Sequence, residues 1–116
     1  MKICRRDVVE VSFGSGTKGN HSVIILSPSE INSEEDSFLG MMITDSPYFD
    51  SNNDFSFVLD DSMFIKPLKE KKSKARLHLI NFLSNNFLVS NTKINEMKAE
   101  AFKKMIDELN QKVFFS

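Results

Sequence analysis

The residues best placed to do chemistry are Lys18 and His21, at the exit of a glycine-rich loop, Gly14-Ser-Gly-Thr-Lys-Gly19. Three glycines in that spacing would cradle a pyrophosphate if a helix opened straight after them, because a helix N-terminus presents unpaired N–H donors. A β-branched run, Val23, Ile24 and Ile25, follows instead. It favours a pleated strand, which Ser27-Pro28 then stops. Gly19 precedes Asn20-His21 rather than Lys-Ser/Thr, so the P-loop pattern is excluded as well. What remains is a β-hairpin whose loop, at about seven residues, is longer than usual and so a candidate working loop.

A second feature lies in the charge distribution. From Glu30 to Ile65 there are nine acidic residues and no lysine or arginine, whereas from Lys66 to Arg76 there are six basic residues against Glu70 alone. The basic strip, which contains Lys72 and Lys74, reads either as a phosphate-attracting surface or as an ordinary solvated loop and strand edge. The formal net charge of −1 argues against tight, nonspecific nucleic-acid binding, since that affinity comes mainly from counterion release by many basic side chains. The single cysteine, Cys4, has no internal disulfide partner and no Cys/His companions at metal-ligand spacing, so a zinc site is not expected; the expected cofactor complement is none. No signal-like or long apolar segment is present, and the chain reads as cytoplasmic with no membrane span.

Such groups need elements to hold them. At 116 residues the chain is expected to form one domain, 1–116. Val9, Val11 and Phe13 alternate with Glu10 and Ser12, which predicts a half-buried strand over 7–13. Residues 21–26 form a second and 38–44 a third, stopped by Asp45-Ser-Pro47. A short helical turn begun by Ser29 separates those two. Phe55, Phe57 and Leu59 predict a fourth strand with all three on one face. Over 74–82, Ala75, Leu77 and Leu79, with Asn81, fall on one side; Arg76, His78, Ile80 and Phe82 fall on the other. A short strand is expected over 87–90. In the tail, Phe102, Met105, Ile106, Leu109 and Val113 recur at helical spacing, with Asn95 as N-cap, which predicts an amphipathic helix over about 95–115. Eleven of the twelve aromatics are phenylalanine, a composition suited to core building. The expectation is a mainly β protein with a C-terminal helix capping a small, strongly bent, barrel-like sheet.

These residues resemble the MazF/PemK/Kid family, the RNA-cleaving toxins of bacterial toxin–antitoxin pairs. The family begins with Arg-Gly-Asp-Ile/Val, then a hydrophobic strand, a Gly-rich loop, and Arg-Pro, a hydrophobic run and Ser/Thr-Pro. The matching stretches are Arg6-Asp7-Val8-Val9, Gly14 to Gly19, and His21 to Pro28; Met41 to Asp45 resembles a strand ending in Ile-Thr-Ser, and Lys74 to Leu79 a later strand carrying an arginine. The resemblance implies an SH3-like barrel, a homodimer, and metal-independent cleavage of single-stranded RNA through the 2′-hydroxyl, with a protein antitoxin as partner. It implies catalytic roles for four residues. His21 stands where the family has arginine and would exchange protons near neutrality; Thr44 would donate to a phosphate oxygen; Arg76 would grip the phosphate with its planar fork; His78, two residues on, would complete an acid–base pair with His21. Lys18, Lys72 and Lys74 would bind the RNA backbone. Each has a plainer counterpart, as a strand-edge histidine, a turn cap or a surface cation. His21, and Asp45 in place of the family's serine, leave open the alternative of an inactive barrel that binds RNA or a protein.

Overall fold

The computed structural model describes residues 3–13, 20–45, 55–69, 73–90 and 92–115. Loop 14–19 with Lys18, loop 46–54, and Lys72 lie outside them. Six strands occur in the described residues: β1 (Asp7–Val11), β2 (His21–Ile25), β3 (Ser37–Thr44), β4 (Ser56–Val58), β5 (Lys74–Ser84) and β6 (Asn95–Glu96). Two helices join them, α1 (Ser29–Glu34) and α2 (Ala99–Leu109). The strands form one antiparallel sheet in the order β4-β5-β3-β2-β1-β6.

The near-continuous apolar runs of β1 and β2 are explained by burial on both faces. Val8, Ile24, Met41, Ala75 and Leu77 face one core, onto which α2 lays Met105 and Leu109. Val9, Val11, Val23, Ile25 and Phe38 face the other. Met105 is fully buried and Leu109 is 4% exposed, and burying two such side chains is worth about 1.5–3 kcal/mol each. Asn32 of α1 ties three segments together. Its amide nitrogen donates to the carbonyl oxygens of Ile3 (2.8 Å) and Ser27 (3.2 Å), and the Ser27 hydroxyl donates to its oxygen at 2.5 Å.

The sheet curls far enough for its ends to meet. The chain leaving β4 passes through a 3-10 turn at Asp61–Met63 and then runs along β6: Ile65 N–H donates to Glu96 O (3.0 Å) and Lys98 N–H to Met63 O (2.7 Å), around an isolated Phe64–Met97 bridge. Asn95 fastens the same seam, accepting from Lys66 N–H and donating to Lys66 O, each at 3.1 Å. Asn95 is therefore a buried strand residue and not the N-cap of the helix. Lys98 occupies the position before α2, without a side-chain cap. Capping residues are recognised by local pattern, but here the amide has better partners 29 residues away.

Three other expectations change. Residues 87–90 form no strand; a 3-10 turn covers Asn85–Phe87, and a single Val11–Leu88 bridge follows. Phe57 and Leu59 enter the core, but Phe55 lies just outside β4 and is 40% exposed. The simple alternation expected over 74–82 is broken by a bulge. Met41 pairs with Ile80, and Ile43 pairs with Ala75, so β5 carries three more residues than β3 between those pairs. Ile80 consequently packs with Ala75 and Leu77 in the first core, while Leu79 is 39% exposed. An inserted stretch shifts the period-2 parity of everything beyond it.

Arg6 shows where local sterics yield to position. Its φ is +79°, a left-handed conformation that glycine adopts freely and arginine at a cost of about 1–2 kcal/mol. The side chain offsets part of the strain: Nη1 donates to Met97 O at 3.0 Å and lies 3.7 Å from the Glu96 carboxylate.

Candidate active site

The site begins with the register of the central strands. β1 and β2 pair Val11 with His21, and β2 and β3 pair Val23 with Met42. Continuing the second register outward by two residues on each strand sets Thr44 across from His21. On its other side Thr44 pairs with Lys74 of β5, and Lys74 pairs with Val58 of β4. One transverse row therefore carries His21, Thr44 and Lys74, from strands far apart in sequence. Arg76 follows Lys74 by two residues, pairs with Ser56, and shares that face of β5.

His21 and Thr44 line the lip of a groove of about 650 Å3. Val8, Ile43, Phe64 and Leu68 contribute its apolar lining, and Glu10, Asp45 and Lys69 its charged groups. Asp45, at the exit of β3, is exposed. Glu10 accepts from the Asn20 side-chain amide at 3.2 Å. The half-buried His21 ring rests against Phe13, with centroids 5.5 Å apart, and Phe13 in turn meets Phe87 at 5.4 Å.

Arg76 and His78 form a second pair. Arg76 is 5% exposed, and its Nη2 lies 3.2 Å from His78 Nε2. A guanidinium only donates, so Nε2 accepts and the imidazole proton belongs on Nδ1. Loss of hydration and then the Arg76 charge hold the His78 pKa below 6.5. Burial also lowers the affinity of Arg76 for its proton, although the group stays charged. The exposed ring of His78 meets Phe55 at 5.3 Å, tilted by 58°.

The candidate residues thus fall into two groups: His21, Thr44 and Lys74 share one row, and Arg76 with His78 stands further along β5. Lys74 is 9% exposed, whereas Lys66 and Lys69 of the basic strip are exposed. Sequence reasoning overlooked Glu10 as a groove residue and the two phenylalanines against the histidines. Phe55 was legible in principle, because it directly follows a polar run, where a strand is only beginning and burial is incomplete. Among the described residues, no group of three or more His, Cys, Asp or Glu side chains is arranged to hold a metal ion, and no helix is long and apolar enough to cross a membrane.

A half-barrel sheet with a C-terminal helix, carrying a polar row at the ends of its central strands, defines the architectural class. Residues 4–113 match the family model described as PemK-like, MazF-like toxin of type II toxin-antitoxin system, and the chain belongs to that family. Its fold is also that of solved relatives. The MazE-MazF structure (Form-III) from Deinococcus radiodurans matches with a TM-score of 0.76 at 13% identity, covering 100% of both chains. An endoribonuclease in complex with its cognate antitoxin, from a Mycobacterial species, matches with a TM-score of 0.71 at 13% identity, covering 99% of this chain and 96% of that one. No curated protein matches the sequence.

Proposed function

We propose that the chain is the toxin of a toxin–antitoxin pair and a metal-independent endoribonuclease acting on single-stranded RNA. The observation that carries this reading is the row in which the central register sets His21 against Thr44 and Lys74, in a chain of the MazF-like family. Cleavage through the 2′-hydroxyl requires a base to take its proton, an acid to protonate the departing 5′-oxygen, and donors for the charge gathering on the phosphorane oxygens. The 2′-oxygen bonds to phosphorus, the bond from phosphorus to the 5′-oxygen breaks, and a 2′,3′-cyclic phosphate and a 5′-hydroxyl result. In this scheme His21 moves the proton, the Thr44 hydroxyl donates to a phosphate oxygen, and Lys74 and Arg76 offset the developing charge. His78 is the second proton carrier, and Lys18 and Lys72 hold the RNA backbone.

The acidic antitoxin segment would lie across the same groove, meeting Lys18, Arg76 and the basic strip from Lys66 to Lys74. A homodimer belongs to this reading as well, and the exposed Leu39–Phe82 cross-strand pair and Phe114 are apolar surface suited to it. The cytoplasm, where mRNA is exposed, is the fitting compartment.

Incubating the purified protein with a long RNA and a matched DNA, in chelator, tests the activity. The wild type should cut RNA alone, and His21→Ala should slow cutting by about 10²–10⁴-fold, the range of a lost general acid or base, while leaving the fold intact. The second reading, an inactive barrel that binds RNA or protein, is favoured by Asp45 and Glu10 on the groove, since carboxylates repel phosphate. Binding without cleavage across a wide pH range would establish that alternative.

A further inference from the structure

Phe55 is out of place as a core residue. Phe57 and Leu59 from the same stretch are 6% and 2% exposed, while Phe55 remains 40% exposed. Its backbone is fixed, because Leu77 N–H donates to Phe55 O at 2.8 Å. Its ring meets His78, which lies in the bulged part of β5 that the extra residues push off the regular ladder. Bulges of this kind re-aim side chains beside active sites.

We propose that Phe55 and His78, with the Arg76 guanidinium beside them, form a stacking subsite for an unpaired RNA base adjacent to the scissile phosphate. The proposal rests on the RNA-cleaving reading and deepens it, and it gives His78 a binding role alongside or in place of proton transfer.

Three features select a base as the occupant. The first is exposed aromatic surface: the Phe55 and His78 rings meet at 5.3 Å, tilted by 58°, and both residues are exposed, so together they offer π surface on which any nucleobase can stack. The second is charge. Arg76 holds His78 Nε2 at 3.2 Å, so the imidazole serves as a neutral aromatic surface, and the guanidinium, only 5% exposed, adds positive charge beneath it. The third is position. Arg76 stands two residues beyond Lys74, the partner of Thr44, hence roughly 7 Å along β5 from the reacting row. A nucleotide neighbouring the one that reacts at His21 and Thr44 would reach it.

The test uses a short single-stranded oligonucleotide with 2′-O-methyl groups throughout, which has no nucleophile and reports binding alone. Its Kd is measured by fluorescence anisotropy for the wild type, Phe55→Ala and Phe55→Trp, with folding checked by circular dichroism. Each measurement is repeated on oligonucleotides with one abasic position moved along the strand. Phe55→Ala should weaken binding roughly 5- to 150-fold, the range for one stacked base, and Phe55→Trp should retain it. The penalty of Phe55→Ala should disappear on the oligonucleotide that is abasic at one particular position, because the same contact cannot be lost twice. Wild-type affinity in Phe55→Ala overturns the subsite, and so does an equal loss on every abasic oligonucleotide. The two failures are separable: if the wild type cleaves ordinary RNA while Phe55→Ala binds normally, only the subsite falls; if the wild type neither binds nor cleaves RNA, the function falls with it.

Discussion

The two histidines have different surroundings. His21 rests on Phe13 at the lip of the groove, whereas His78 is held through Nε2 by Arg76 and loses hydration at its bulged site. The folded His78 pKa lies below the ordinary 6.5, so the unfolded chain takes up the proton first as the solution is acidified. The sign follows from that order: His78 leaves stability unchanged above about pH 6.5 and reduces it progressively as pH falls toward the folded value. An NMR titration should place the His78 midpoint below 6.5. In Arg76→Met the midpoint should rise, though without full recovery, since lost hydration is the larger cause and Arg76 the smaller. An unchanged midpoint would show that the guanidinium does not govern this ring.

Elements here are set by local rules that fail at identifiable residues. The left-handed Arg6 at the entrance to β1 is one, and its cost can be measured by comparing two truncations. Arg6→Ala and Arg6→Gly both remove the bond to Met97 O and the contact with Glu96, but only glycine adopts φ = +79° without penalty. The glycine variant should be the more stable by about 1 kcal/mol in urea unfolding. Equal stabilities would mean that the backbone is not strained there. The ion pair itself is partly exposed on both sides, where such pairs contribute about 0–1 kcal/mol. The β5 bulge is the second case: alternation over 74–82 is correct up to Leu77 and reversed by Ile80, because inserted residues alter parity without altering hydrophobic composition.

The integrity of the molecule depends on the seam that closes the curled sheet. Asn95→Ala would leave the N–H and C=O of Lys66 without their side-chain partners, and because Lys66 is exposed and water can take their place, each lost bond costs about 0.5–1.5 kcal/mol. Against a total stability of about 5–15 kcal/mol for a domain of this kind, that loss should lower the unfolding midpoint measurably. Hydrogen exchange should reveal local opening as well. The Ile65 and Lys98 amides, whose bonds cross the seam, should exchange faster in Asn95→Ala than amides of the β1–β2 ladder. Uniform acceleration across the sheet would instead show that the seam opens only with global unfolding.

Alternation and β-branching in β1 to β3, the stop at Ser27-Pro28 and the apolar stripe of α2 were sufficient for those strands and the helix, because period and sterics act over a few residues; the family resemblance rested instead on the motifs Arg6-Asp7-Val8-Val9, Gly14 to Gly19 and His21 to Pro28. The tertiary structure alone decided that Asn95 binds Lys66, that Thr44 lies between His21 and Lys74, that β5 bulges after Leu77, and that Arg76 holds His78. Most of these depend on pairings between segments dozens of residues apart, and the bulge depends on how β5 meets β3. No local periodicity specifies such registers: they are chosen when the curled sheet closes and its polar backbone groups find partners.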